Sequence, residues 1–159
     1  MRLIGCIAAL GVLCLGAGAA RADWEYTVWG MTAEEVLDAS HGRAIPSFDR
    51  ERDWEPFRAE LKAPHAWHGF AFTAYFLFGP RDRQLHYVSL VMDHPQQCPR
   101  LNTLLRQIYG TPAIDINKPV LHMASWWRTR DNFDLLLTFT VPEPPLCELR
   151  LARPGQRSY

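Results

Sequence analysis

The sequence predicts an α+β fold: two helix-plus-three-strand modules forming one largely antiparallel sheet, with both helices on one face. Three observations predict it. Helix start and stop signals occur twice, each is followed by three strand-like runs, and the two cysteines beyond the N-terminal leader sit at positions facing one shared layer.

Residues 1–22 read as a signal peptide: Arg2 gives the positive start, Leu3 to Leu15 the apolar run, and Ala20-Arg21-Ala22 the cleavage site before Asp23. Lipid anchoring is disfavoured. Leu3-Ile4-Gly5-Cys6 precedes the apolar run instead of following it, and Gly11-Val12-Leu13-Cys14 has Leu where a small residue should precede the cysteine. The single α+β domain is then placed at 23–153, with an internal duplication over 24–93 and 98–153 and a fraying tail at 154–159. The loss of Arg2 and Arg21 shifts a balance of 17 basic and 17 acidic residues to about −2. That charge gives no electrostatic footprint for nucleic acid, and no later apolar run reaches the roughly 18 residues of a membrane span.

The first helix starts at Thr32, where Thr32-Ala33-Glu34-Glu35 makes a capping box, and Gly42 closes it. The segment 43–57 follows, with the alternating charges Asp49-Arg50-Glu51-Arg52-Asp53 expected at a solvated surface. Strands are expected at 58–63, 70–78 and 85–92; Phe70, Phe72, Phe76 and Phe78 fall on one side of the second. Pro99 opens the second helix, whose buried stripe is Leu101, Leu104, Leu105 and Ile108, and Gly110 with Pro112 ends it. Strands at 120–129, 133–141 and 146–152 complete the chain.

Cys6 and Cys14 leave with the leader, so Cys98 and Cys147 remain. Cys98 lies three residues before Leu101 on the buried side of the second helix, and Cys147 alternates with Leu149 and Leu151 on the last strand. Both sulfurs face the helix–sheet layer, so a disulfide is expected.

The sequence offers no nucleophile elbow, zinc-protease helix, phosphate loop or dinucleotide fingerprint. No catalytic residue and no cofactor is assigned. His65 and His68, three apart, are the alternative metal pair, and with His94 they make the alternative small-ligand or hydrolase site. In an extended segment the pair would diverge, and no further ligand spacing completes a shell.

The more informative pattern is on the sheet face away from the helices. There the parity places Thr73, Tyr75, Tyr87, Ser89, His122, Trp126, Arg128, Thr138, Glu148 and Arg150. Tyr, Trp and Arg are enriched at binding hot spots, so Tyr75, Tyr87, Trp126 and Arg128 are the predicted binding residues. The competing reading is a face covered by the chain itself, through Phe48 and Trp54 of the segment 43–57.

With Trp29-Gly30-Met31-Thr32 opening the first helix and Tyr109-Gly110-Thr111-Pro112 closing the second, the pattern resembles two families of small periplasmic proteins. These are the β-lactamase-inhibitor-protein family and the small lipoprotein subunit of the outer-membrane β-barrel assembly machinery. The missing lipobox departs from the second. The resemblance implies an exported, non-enzymatic protein-binding domain, periplasmic or secreted, whose partner is an envelope or extracellular protein.

Overall fold

The computed structural model describes residues 23–118, 122–129, 133–140 and 144–156. The expected signal peptide, the side chains of Leu121, His122 and Met123, and the last three residues of the tail lie outside what it describes.

The first helix, α1, runs Ala33–Ser40. Thr32 Oγ1 accepts from the Glu35 N–H at 3.3 Å, and the Glu35 carboxylate accepts from the Thr32 N–H at 2.8 Å, which completes the capping box. Helices this short are marginal alone, so α1 depends on docking Val36, which is fully buried. Gly42, the expected closing residue, does take positive φ. The left-handed turn begins one residue earlier, at His41, whose N–H donates to Asp38 O at 3.2 Å.

The strands that follow are β1 (Ile45–Pro46), β2 (Arg58–Trp67), β3 (Phe70–Phe78) and β4 (Leu85–Met92). The second helix, α2 (Cys98–Tyr109), precedes β5 (Ile114–Lys118), β6 (His122–Arg128), β7 (Asp134–Thr140) and β8 (Leu146–Ala152). All eight form one antiparallel sheet in the order β1-β2-β3-β4-β8-β7-β6-β5. The α+β class and the antiparallel sheet stand as expected, whereas each helix is followed by four strands instead of three. The additional strands, β1 and β5, are short edge strands. β2 also runs on to Trp67, because His68 and Gly69 both adopt positive φ and form a tight two-residue hairpin turn into β3.

One sheet parity carries the main core. Phe70, Phe72, Ala74, Phe76 and Phe78 are buried in the same cluster as Val36 of α1, Leu101 and Leu105 of α2, and Leu135, Leu137, Leu149 and Leu151. Phe72, Phe76 and Phe78 are each at most 2% exposed, and burying a phenylalanine contributes roughly 1.5–3 kcal/mol. On α2 the stripe is narrower than its spacing implied. Leu101 and Leu105 are fully buried, Leu104 is partly so, and Ile108 is 44% exposed. α2 begins at Cys98, with Pro99 second, after a 3-10 turn at Pro95–Gln97.

Cys98 and Cys147 form the expected disulfide, tying the first residue of α2 to β8 at a Cα–Cα distance of 5.8 Å. The two residues are 49 apart in sequence, and closing a loop of that length stabilises by about 4 kcal/mol through the unfolded chain's entropy. Thiol titration of the denatured, unreduced protein should therefore find neither Cys98 nor Cys147 free. Replacing both by Ala should lower urea-unfolding stability by about 4 kcal/mol.

Candidate functional site

The sheet's second face begins with a strap, residues 47–57, between β1 and β2. Ser47 N–H donates to Glu60 O at 2.8 Å, a 3-10 turn at Arg50–Arg52 follows, and Trp54 and Phe57 exchange backbone hydrogen bonds across a tight turn. Asp53 pins the strap to the sheet. Its carboxylate accepts from the Ala59 N–H and from Arg58 Nη1, both at 2.9 Å, with Arg50 3.6 Å away. Burial pushes this carboxyl upward, but those two hydrogen bonds and the charges of Arg58 and Arg50 outweigh it and hold it below the ordinary carboxylate range. The Asp49–Asp53 charge run is therefore not wholly a solvated surface; the Asp53 side chain is only 7% exposed.

Under the strap lies a second cluster of Ala59, Tyr75, Leu77, Tyr87 and Ala152, packed by Trp54, Phe57 and Val91. Trp54 and Phe57 each meet the Tyr87 ring edge-on at 4.8 Å. Tyr75 donates its hydroxyl to Asp49 at 3.3 Å, and Arg52 lies 6.0 Å from its ring. Arg150 stacks over Trp54 at 4.1 Å and is held by Glu148, which also accepts from the Ser89 hydroxyl. Burial pushes both tyrosine hydroxyls up, and Asp49 adds to the effect at Tyr75.

These contacts correct two placements. Tyr75 and Tyr87, expected to be offered to a partner, are 7% and 3% exposed beneath the chain's own strap. The cover comes from Trp54, Phe57, Asp49 and Arg52. Phe48, the other ring expected there, is 84% exposed.

Farther along the same face the cover stops. Trp126 on β6 is half-buried, Arg128 is exposed, and the Arg128 guanidinium sits 5.3 Å from the Trp126 ring. Trp126 pairs across β6 with Leu136 of β7 and with Ile114 of β5, and directly opposed residues share a face. Ile114 and Ile116 are 47% and 44% exposed. Asp115, between them, points the other way: it accepts from Ser125 at 2.7 Å and pairs with Arg106 of α2, and these hydrogen bonds, Arg106 first, hold its carboxyl low. The structure thus joins Trp126 and Arg128 to Ile114, Ile116 and Leu136. Sequence reasoning missed those three. For the two isoleucines the one signal was the alternation Ile114-Asp115-Ile116, three residues of a period-two pattern and too short to mark a strand.

The alternative histidines fall in three different surroundings. His65 is on β2, 5.1 Å from the Trp24 ring and 4.0 Å from Glu25, and burial lowers its pKa against the opposing pull of Glu25. His68 is in the hairpin turn, edge-on to Trp67 at 4.5 Å. His94 is exposed ahead of the 3-10 turn before α2. Among the described residues no group of three His, Cys, Asp or Glu side chains is placed to hold a metal ion.

Asp53 makes the strap testable. Asp53→Ala leaves the Ala59 N–H without its acceptor and should cost about 1–3 kcal/mol. Because the folded carboxyl titrates below the unfolded value of about 3.9, its contribution is present above that value and is lost as pH falls through the folded pKa. Urea unfolding at neutral and acid pH should show a smaller acid loss in the variant than in the natural chain.

Compared with protein-family models, with curated proteins and with solved structures, the chain matches none of them.

Proposed function

We propose that this chain is an exported, non-enzymatic protein-binding domain of the cell envelope or extracellular space, adaptor-like or inhibitor-like in action. Its partner is an envelope or extracellular protein bound on the uncovered part of the outer sheet face. The observation that carries this reading is the asymmetry of that face. A strap covers it over β3 and β4, while over β5 and β6 the same parity leaves Ile114, Ile116 and Trp126 in contact with water. A contiguous apolar strip bordered by charge is what interaction sites present. Trp126 with Arg128 stacked on it is the ring-and-cation combination favoured at hot spots. Tyr75 and Tyr87 serve the reading indirectly, by seating the strap.

The chemistry of the partner follows from the face. β5 is the sheet's edge, so an extended segment can pair with its backbone while seating apolar side chains on Ile114, Ile116 and Trp126. Arg128 and Lys118 are exposed at the two ends of this strip, which favours a segment carrying carboxylates. Export is supported by the signal-peptide pattern expected at 1–22, and the Cys98–Cys147 bond fits an oxidising compartment. In the same reading the chain is a duplicated unit, 24–93 and 98–153, since a helix and four strands occur twice and the sheet order is mirrored about β4 and β8.

Affinity isolation from envelope extract identifies the partner, and titration of that purified partner tests the face. Trp126→Ala should raise the dissociation constant roughly 30-fold, about 2 kcal/mol, and Ile116→Asp should do at least as much, with both variants melting as the natural chain does. Unchanged affinity in both would remove this face from the reading. Concentration-dependent dimerisation abolished by Ile116→Asp would make the occupant a second copy instead.

A further inference from the structure

On the other side of the sheet, the N-terminal arm folds over a cleft that the protein-binding reading does not use. The arm turns back on itself at Glu25, which has φ of 49°, through paired contacts between Trp24 and Thr27. Asp23 accepts from the Trp29 N–H at 2.8 Å and braces the turn. Trp24 is thereby laid onto the core, 9% exposed and 6.0 Å from the Phe76 ring. Between Trp24 and α2 remains a space of about 170 Å³.

Its lining fixes what it accepts. Leu90 and Leu149, opposed across the β4–β8 pairing, form an apolar floor, while Trp67 and Tyr109 add aromatic walls. The cleft opens to solvent at Glu25 and its walls are mostly apolar, so a ring that enters it exchanges water for carbon contacts. Rings around a slot of this size suit a flat π system, which gains edge and face contacts that a saturated molecule does not. Besides Tyr109, its polar side chains are Glu25 and His65, and of those two His65 is the more buried. His65 is partly buried against Trp24, and its Nδ1 is 4.0 Å from Glu25, beyond direct hydrogen-bond reach. Glu25, 41% exposed at its side chain, marks the mouth.

We infer that this cleft binds a small neutral aromatic molecule of phenol or indole size, its ring between Trp24, Trp67 and Tyr109 and its single O–H or N–H donated to His65. The lowered pKa of His65 agrees with an imidazole that stays neutral and keeps a lone pair to accept with.

Indole, phenol, benzene and cyclohexanol are the probes, added at millimolar concentration to the purified protein. Indole and phenol should each raise Tm by roughly 3 °C and shift the methyl resonances of Leu90 and Leu149, leaving those of Val36 in place. Cyclohexanol, of similar size but without a π system, should bind at least about threefold more weakly. Leu149→Phe, which fills the space, should abolish the response. His65→Leu should weaken phenol more than benzene, a split that a merely structural role for His65 would not give. No methyl shift in the natural chain, equal binding of cyclohexanol, or an undiminished response in a folded Leu149→Phe protein would each overturn the assignment. The methyl readout needs no variant, so the inference stays testable even if Leu149→Phe fails to fold.

Discussion

The pairing of β4 with β8 holds the fold together, because it is where the two ends of the sheet are joined. Val88 opposes Leu151 and Leu90 opposes Leu149, and all four side chains are buried in the main cluster. Those strands lie far apart in sequence, so bringing them together costs loop-closure entropy before any contact compensates it. Apolar burial from the helix-bearing side meets that cost, and the Cys98–Cys147 bond lowers it by fixing the start of α2 to β8 in advance. Without this seam, β1–β4 would be one sheet with an open hydrophobic edge and β5–β8 another. Each would also lose half the floor of the leucine core.

Once the seam is formed, strand parity leaves two faces to be reconciled with water. One is covered by α1, α2 and the arm that carries Trp24, apart from the cleft beside Trp24. On the other, the length of a single connection decides the outcome. Residues 47–57, between β1 and β2, are long enough to fold back across β3 and β4, where Trp54 and Phe57 pack on Tyr87 and Asp53 fastens the chain to Ala59 and Arg58. β5 and β6 instead pair directly from Lys118 opposite His122 to Ile114 opposite Trp126, and no segment comparable to 47–57 stands between them in the sequence. Hence the same parity ends up as a closed tyrosine cluster at one end and an apolar strip at the other.

What the sequence disclosed, and what it withheld, follows from the range of the interactions involved. The capping box at Thr32, the alternation of Phe70 through Phe78, the stop at Gly110 and the shared facing of Cys98 and Cys147 all depend on neighbours within a few residues, and each has a local signature. β1 and β5 were missed because two and five residues carry too little periodicity to separate a strand from a loop. The strand expected at 58–63 continues through Pro64 and His65 to Trp67, because its end is set by the His68-Gly69 turn, where a histidine takes a conformation more usual for glycine. Tyr75 and Tyr87 were given the correct face and the wrong exposure. Parity says which way a side chain points, while exposure depends on whether a distant segment, here anchored by Asp53, comes to rest upon it.

The covered end also shows what chemistry this face accepts. There, ring edges from Trp54 and Phe57 meet a tyrosine, and Arg150 closes the stack from above, its charge balanced by Glu148. At the uncovered end, Trp126 and Arg128 repeat the pairing of ring and guanidinium, with Ile114, Ile116 and Leu136 where the strap would otherwise lie. The strap settles on its own end because its anchor is part of the same chain and costs little entropy to place. A free polypeptide has no such anchor at the other end; in the proposed reading it gains its hold from the backbone of β5 and from a carboxylate offered to Arg128. In the proposed reading, the exposed Arg128 and the apolar strip favour an extended, acidic-flanked segment, through the same combination of ring, guanidinium and carboxylate that Trp54, Arg150 and Glu148 make at the covered end.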